Sequence, residues 1–204
     1  MVTIIDYGIG NLGSIQNMFK RIGADSLISS DINIISKADK IILPGVGAFD
    51  NGISKLNEYG LTEVLNHKAM DDKVPILGIC LGMQLMTEKS EEGKQKGLGW
   101  VKGKTVRFKF EGENKKIKIP HMGWNTIEIK GESPVLNNMN PESRFYFVHS
   151  YHVDLYKYPD SLCLTNYGYD FVSFFQYANI IGVQFHPEKS HKYGMKLLSN
   201  FAEM

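Results

Sequence analysis

Cysteine is scarce in this chain: Cys80 and Cys163 are the only two in 204 residues, and they stand far apart. They could in principle pair, but a disulfide-rich secreted scaffold is excluded, and a cytoplasmic setting fits better. Charge of one sign is also missing, since 23 Lys and Arg face 22 Asp and Glu for a formal net charge of +1. Binding to nucleic acid or to an anionic membrane through bulk charge is therefore not expected. No apolar run approaches the ~18 residues that a bilayer span needs. The opening Met-Val-Thr-Ile-Ile-Asp lacks the basic leader of a signal peptide. What remains is a sequence 43% hydrophobic and 22% charged, long enough to bury about 70% of its unfolded surface. It reads as one compact domain over residues 1–204 that needs neither a structural metal nor a disulfide to fold.

The hydrophobic pattern alternates short β-branched runs with amphipathic stretches, which is how a parallel sheet with crossover helices is written. Val2 to Ile5 is the first strand. Ile15, Met18, Phe19 and Ile22 then fall at helical spacing behind Ser14, an expected N-cap, with Gly23 as the stop. Strands are expected at Ser26 to Ser29, Lys40 to Leu43 and Val74 to Ile79, with helices at Phe49 to Tyr59 and Leu61 to Met70 between the last two. After the polar run Glu88 to Lys96 the chain turns to strands and turns, read as an extension of the sheet. Candidates are Thr105 to Phe110, Lys116 to Ile119, Thr126 to Ile129, Arg144 to Val148, Ser161 to Thr165, Phe171 to Gln176 and Ile180 to Phe185. A final helix places Met195, Leu198 and Phe201 on one face. Pro120 to Asn125, with its proline and glycine around Trp124, reads as a loop.

The chemistry gathers at Gly78-Ile79-Cys80-Leu81-Gly82-Met83-Gln84, where a buried strand must turn sharply into a helix. Glycines on both sides of the central residue permit the strained turn of a nucleophile elbow, here carrying sulfur. A helix N-terminus also lowers a thiol pKa. A lone cysteine is more often an inert core residue, but the flanking glycines directly after a strand argue for the reactive reading. Such a nucleophile needs a base and a group to orient it. His186-Pro187-Glu188 supplies both at the end of another strand, with a proline to fix the turn so that both groups can point to the same place. Pro44-Gly45-Val46-Gly47 follows the third strand, on the same rim, where its N–H groups could hold an oxyanion. Against this stands Gly8-Ile9-Gly10-Asn11-Leu12-Gly13 with Asp31 beyond the second strand, which fits a dinucleotide fingerprint and keeps a Rossmann oxidoreductase as a remote rival.

These segments, together with Asp6-Tyr7-Gly8, Phe145 to Tyr151 and Gly182 to Ser190, resemble the class I (triad-type) glutamine amidotransferases over essentially the whole chain. Pro120-His121-Met122-Gly123-Trp124-Asn125 narrows the resemblance to the HisH subunits of imidazole glycerol phosphate synthase. The resemblance implies an α/β, flavodoxin-like fold with a mixed central sheet flanked by helices and an added smaller β-sheet. It implies Cys80 as nucleophile, His186 as base and Glu188 as orienting acid, with Gly45, Val46, Gly47 and Leu81 around the oxyanion. Gln84 and the backbone at His149, Ser150 and Tyr151 would hold glutamine, and no metal or cofactor is called for. Asn11, His121, Trp124, Asn125, Tyr146 and Lys189 would face a partner, the (β/α)8 cyclase subunit HisF, in a heterodimer. The activity implied is glutamine hydrolysis with ammonia passed to that cyclase in the fifth step of histidine biosynthesis. A HisH-like paralogue supplying ammonia for amidated surface-polysaccharide sugars is the alternative, suggested by Lys118 to Pro120 and by the tail from Ser190. One departure from the family pattern is Phe174-Phe175, where a small residue is expected beside the active-site sheet.

Overall fold

The computed structural model describes residues 1–204. The first half is doubly wound: β1 (Val2–Ile5), α1 (Leu12–Arg21), β2 (Ser26–Ser29), α2 (Ile32–Ile35), β3 (Ile41–Leu43), α3 (Phe49–Glu58), α4 (Leu61–Met70), β4 (Ile76–Ile79) and α5 (Leu81–Leu85). Strands β1, β3 and β4 are buried along their whole length, as expected where helices cover both faces of a parallel sheet. The second half is richer in strands: β5 (Gly103–Arg107), β6 (His121–Thr126), β7 (Glu128–Lys130), β8 (Arg144–His149), β9 (Tyr151–Leu155), β10 (Ser161–Asn166), β11 (Asp170–Tyr177) and β12 (Ile180–Val183). Helix α6 (His191–Glu203) closes the chain.

Ten strands form one mixed sheet whose main path runs β2-β1-β3-β4-β12-β11-β10-β7, with β9 branching from β11 and carrying β5. From β2 to β12 neighbours are parallel, and beyond β12 they are antiparallel. Strand β12 is the seam, pairing with β4 so that Gly182 lies opposite Gly78 and Val183 opposite Ile79. The nucleophile elbow and the His-Pro-Glu turn thus leave the sheet side by side from the carboxyl ends of adjacent parallel strands, where α/β sheets build their sites. β6 and β8 form a separate two-stranded ribbon, the smaller sheet expected. No helix is long and apolar enough to cross a membrane.

Several sequence expectations need correcting. Pro120 to Asn125 is not a loop: His121 to Thr126 is a strand paired in register with β8, its glycine and tryptophan accommodated because only alternate residues face inward. The strand expected at Lys116 to Ile119 is absent, and the chain there leaves a short 3-10 turn at Gly112–Lys116. Helix α1 begins behind Asn11, so Ser14 lies inside it and is not its N-cap. Gly13 is therefore also helical, and the Asp31 carboxylate accepts the Asn33 N–H at 2.7 Å as the cap of α2, a short helix unread in the sequence. A Cβ on Gly13 would meet nothing within 4 Å, so the fingerprint's last glycine serves no close helix–strand packing, and the Asp31 carboxylate is engaged by its own helix. Phe174 and Phe175 lie on opposite faces of β11 in two different core clusters. The small residue sits across from them: a Cβ on Gly182 would come within 2.6 Å of the Phe175 ring.

Candidate active site

Cys80 stands between β4 and α5 with φ 54° and ψ −108°, a conformation L-residues rarely adopt. Strain of this kind persists only where the surroundings enforce it, and two glycines show how. A Cβ on Gly82 would lie 1.9 Å from the Leu43 carbonyl oxygen, and one on Gly78 would lie 2.7 Å from the Met83 nitrogen. The turn is wedged against β3 and its own helix, which lifts the thiol toward the rim while leaving the residue 7% exposed.

His186 follows β12 and is 1% exposed. Its backbone N–H donates to Tyr146 of β8 at 2.9 Å. Its Nδ1 lies 2.8 Å from Glu188 Oε1, the imidazole and carboxylate side chains both 2% exposed. The second carboxylate oxygen, Oε2, is buried without a partner, so Glu188 is committed to one imidazole. Burial opposes a charged ring, but hydrogen bonding and attraction from Cys80 and Glu188 outweigh it and raise the His186 pKa from 6.5 to about 10. At neutral pH the ring is therefore protonated, the state in which it can hold a thiolate. Ser190 secures the turn, its hydroxyl donating to the His186 carbonyl at 2.6 Å and accepting from the Tyr146 N–H at 3.0 Å.

One cavity of about 460 Å³ opens over these groups. Cys80 and His186 line it together with Val46, Gly47 and Leu81 on one side and Gln84, His149, Ser150 and Tyr151 on the other. The expected nucleophile, base, oxyanion segment and substrate wall are thus brought together. Gly45 and Glu188 lie just outside the lining. Leu81 opens α5, so its N–H has no acceptor within the helix. Beneath the Pro44–Gly47 segment, the buried Tyr7 hydroxyl donates to the Pro44 carbonyl at 2.5 Å. Burial, and to a lesser degree the Cys80 charge, push that phenol well above its ordinary pKa, so it remains a donor.

Of the residues expected at a partner face, Asn11 and Lys189 are exposed, Trp124 is 44% exposed, and Tyr146 and Asn125 are half-buried. Trp124 stacks on His191 with ring centroids 5.5 Å apart, and Lys189 Nζ lies 5.7 Å over the Tyr146 ring. His121 departs from the expectation: it is 3% exposed, its Nδ1 turned to His149 Nε2 at 3.1 Å. Cys80 and Cys163 are free thiols, and burial pushes the Cys163 thiol far up. Sequence reasoning missed Glu92 and Gln184. Glu92 lines the cavity and accepts the Phe49 N–H at 2.8 Å at the start of α3, hidden in what reads as a solvated charge run. Gln184 is fully buried with its Nε2 3.6 Å from Cys80 Sγ. Its adjacency to the Phe-His-Pro-Glu turn was the only available signal.

The family model "Glutamine amidotransferase class-I" matches residues 3–204. A Methanococcus maripaludis protein named imidazole glycerol phosphate synthase subunit HisH 2 is 53% identical over 98% of both chains. A Pseudomonas aeruginosa protein of the same name is 47% identical over the whole of both. A crystal structure titled glutamine amidotransferase covers the full length of both chains with a TM-score of 0.73 at 14% identity, a likeness of fold. The chain therefore belongs to the class-I glutamine amidotransferase family, in the branch formed by the HisH subunits.

Proposed function

We propose that this chain is the glutaminase subunit of an imidazole glycerol phosphate synthase, hydrolysing L-glutamine to glutamate and ammonia. The observation that carries the reading is Cys80 on a strained elbow and His186 lining one cavity together, with Glu188 buried behind the imidazole. Cys80 sulfur attacks the carboxamide carbon, and the N–H groups of Leu81 and of the Val46–Gly47 segment receive the oxyanion. Protonated His186 gives its proton to the departing amine, releasing ammonia and leaving a glutamyl thioester. The now neutral imidazole takes a proton from water as it attacks the thioester, and the thiolate leaves with glutamate. Gln84 and the His149–Tyr151 backbone hold the amino-acid end of the substrate.

The ammonia is consumed by the cyclase subunit HisF, which closes the imidazole ring on a phosphorylated ribulosyl nucleotide. Its products are imidazole glycerol phosphate and the carboxamide ribonucleotide, in the cytoplasmic histidine pathway. Asn11, Trp124, Asn125, Tyr146 and Lys189 form the docking face of that heterodimer. The test is glutamate release in the presence of a HisF-type cyclase with and without its nucleotide, using Cys80→Ala as control. Nucleotide-stimulated release that Cys80→Ala abolishes is the expected result; release that survives Cys80→Ala overturns the triad assignment. A second reading keeps the chemistry and changes the pathway to ammonia supply for an amidated surface sugar. It is suggested by the turn Lys118-Ile119-Pro120 and by the tail from Ser190. A glutaminase that stays silent beside the histidine cyclase decides for it.

A further inference from the structure

We infer that Gln184, a residue outside the Cys80, His186 and Glu188 set, is a positioning residue: its amide Nε2 donates to the Cys80 sulfur while its Oε1 clamps Gln84. The inference rests on the reading of Cys80 as nucleophile and extends it to the group that holds the sulfur. Gln184 is 0% exposed and Gln84 is 5% exposed, so neither amide can turn to water for its partners. Gln84 Nε2 lies 3.0 Å from the Tyr151 carbonyl oxygen and 3.0 Å from Gln184 Oε1. Gln184 Nε2 lies 3.6 Å from Cys80 Sγ.

The polarity of this chain is fixed by its far end. A main-chain carbonyl only accepts, so the Gln84 atom facing Tyr151 must be its nitrogen. That nitrogen has two hydrogens, and the Gln184 atom it also faces must then be oxygen. The Gln184 nitrogen is left pointing at sulfur. An N–H aimed at sulfur favours the thiolate over the thiol, because a hydrogen bond to the charged form stabilises it. Gln84 has spent its donors inside the protein, and Oε1 is the polar atom it has left for a guest in the cavity it lines. The site therefore offers an acceptor there, suited to an ammonium or amide N–H of the substrate. The Gln184 backbone is itself held, its N–H donating to Ser173 of β11 at 2.9 Å, which carries the β12 edge on toward His186.

The first readout follows Cys80 directly, before any glutamine is added. The full chain and its Gln184→Met variant are alkylated with iodoacetamide across a pH series, and the Cys80 peptide is followed by mass spectrometry so that Cys163 does not contribute. The other groups around the sulfur are common to both proteins: His186 and Glu188 beyond β12, Tyr7 beyond β1, and His149, Glu92 and Lys189 on the cavity wall. The expected result is an alkylation midpoint moved upward by about one pH unit in Gln184→Met, with the glutamine KM raised as Gln84 loses its clamp. An unmoved midpoint overturns the inference. A second measurement uses the unaltered protein and so does not depend on the variant folding. The side-chain amide resonances of Gln184 should shift through the Cys80 titration and after its alkylation, and resonances that stay in place also overturn it. A shifted midpoint in a protein that releases no glutamate even beside the nucleotide-loaded cyclase would leave the role of Gln184 standing and remove the glutaminase reading instead.

Discussion

His121 Nδ1 lies 3.1 Å from His149 Nε2, and both rings are buried between the β6–β8 ribbon and the sheet. The directions of the bonds can be read off. His149 Nδ1 faces the Tyr151 carbonyl at 2.8 Å and must carry a hydrogen, so its Nε2 accepts from His121, whose own Nε2 faces the Asn125 amide nitrogen at 3.2 Å. Both imidazoles are neutral in this arrangement. A carbonyl next to the substrate wall is thereby tied to the ribbon.

Burial lowers the His121 pKa from 6.5 to about 4 and takes His149 well below 6.5. Above pH 6.5 these rings are neutral in the folded and unfolded chains alike and contribute no pH dependence. As pH falls from 6.5 toward 4 the unfolded chain takes up protons that the folded chain refuses, so stability drops, by up to roughly 1.4 kcal/mol per pH unit for each such histidine. His186 has the opposite sign: its stabilisation is full below 6.5 and is lost as pH rises through about 10. Urea unfolding followed through this acid window should show the decline, and His121→Gln should flatten it. A slope the same in both proteins would contradict the neutral-pair account.

Glu188 offers a sharper test, because its only partner is the catalytic-site imidazole. Glu188→Gln keeps the shape and removes the charge that helps hold His186 protonated. The basic limb of the glutaminase pH profile should move toward lower pH, with kcat falling on the order of 10²- to 10⁴-fold, as when the orienting acid of a triad is neutralised. Steady-state rates across the profile check both. An unchanged basic limb would mean that another group controls it.

Ser190 joins the two halves of the site. Its fully buried hydroxyl bonds the His186 carbonyl and the Tyr146 N–H. Ser190→Ala takes the acceptor from the Tyr146 N–H and leaves the His186 carbonyl with the Lys189 N–H alone, at a cost of about 1–3 kcal/mol for the unpaired N–H. Thermal melting should register that loss, and kcat should fall with it because the His186 turn keeps only its backbone N–H bond to Tyr146 as a tether to β8. Full activity at full stability would show that the turn holds without the hydroxyl.

Much of the site was legible in the sequence because its parts obey strong local rules. Glycines at 78 and 82 have no steric alternative, and a strand ending in His186-Pro187-Glu188 can aim its side chains only at the rim. What escaped was set by tertiary contact. Gln184 is polar at a position where strand patterning demands a core residue, and only the fold brings it to Cys80. Residues 121 to 126 carry a glycine and an exposed tryptophan that disguise a strand whose reason to form is pairing with β8. The resemblance put His121 at the partner face, and its neighbours Met122 and Trp124 are indeed 62% and 44% exposed, but period-two alternation turns His121 itself inward.

The same alternation predicts where a partner is felt. Trp124 is exposed, lies flat against His191, and sits 6.2 Å from the Tyr146 ring, beside Lys189. A large aromatic already braced on one face loses little freedom on docking, which is the situation of an interface hot spot. Trp124→Ala removes no core contact, so the melting temperature of the isolated chain should change little. Affinity for the cyclase should weaken by about 2 kcal/mol, some ~30-fold in Kd, measured by calorimetric titration. His121→Gln should act in the reverse pattern, disturbing stability and the Tyr151 carbonyl while leaving the docking face intact. If Trp124→Ala binds the cyclase as tightly as the unaltered chain, the docking face lies elsewhere on the molecule, and the ribbon carries a structural role alone.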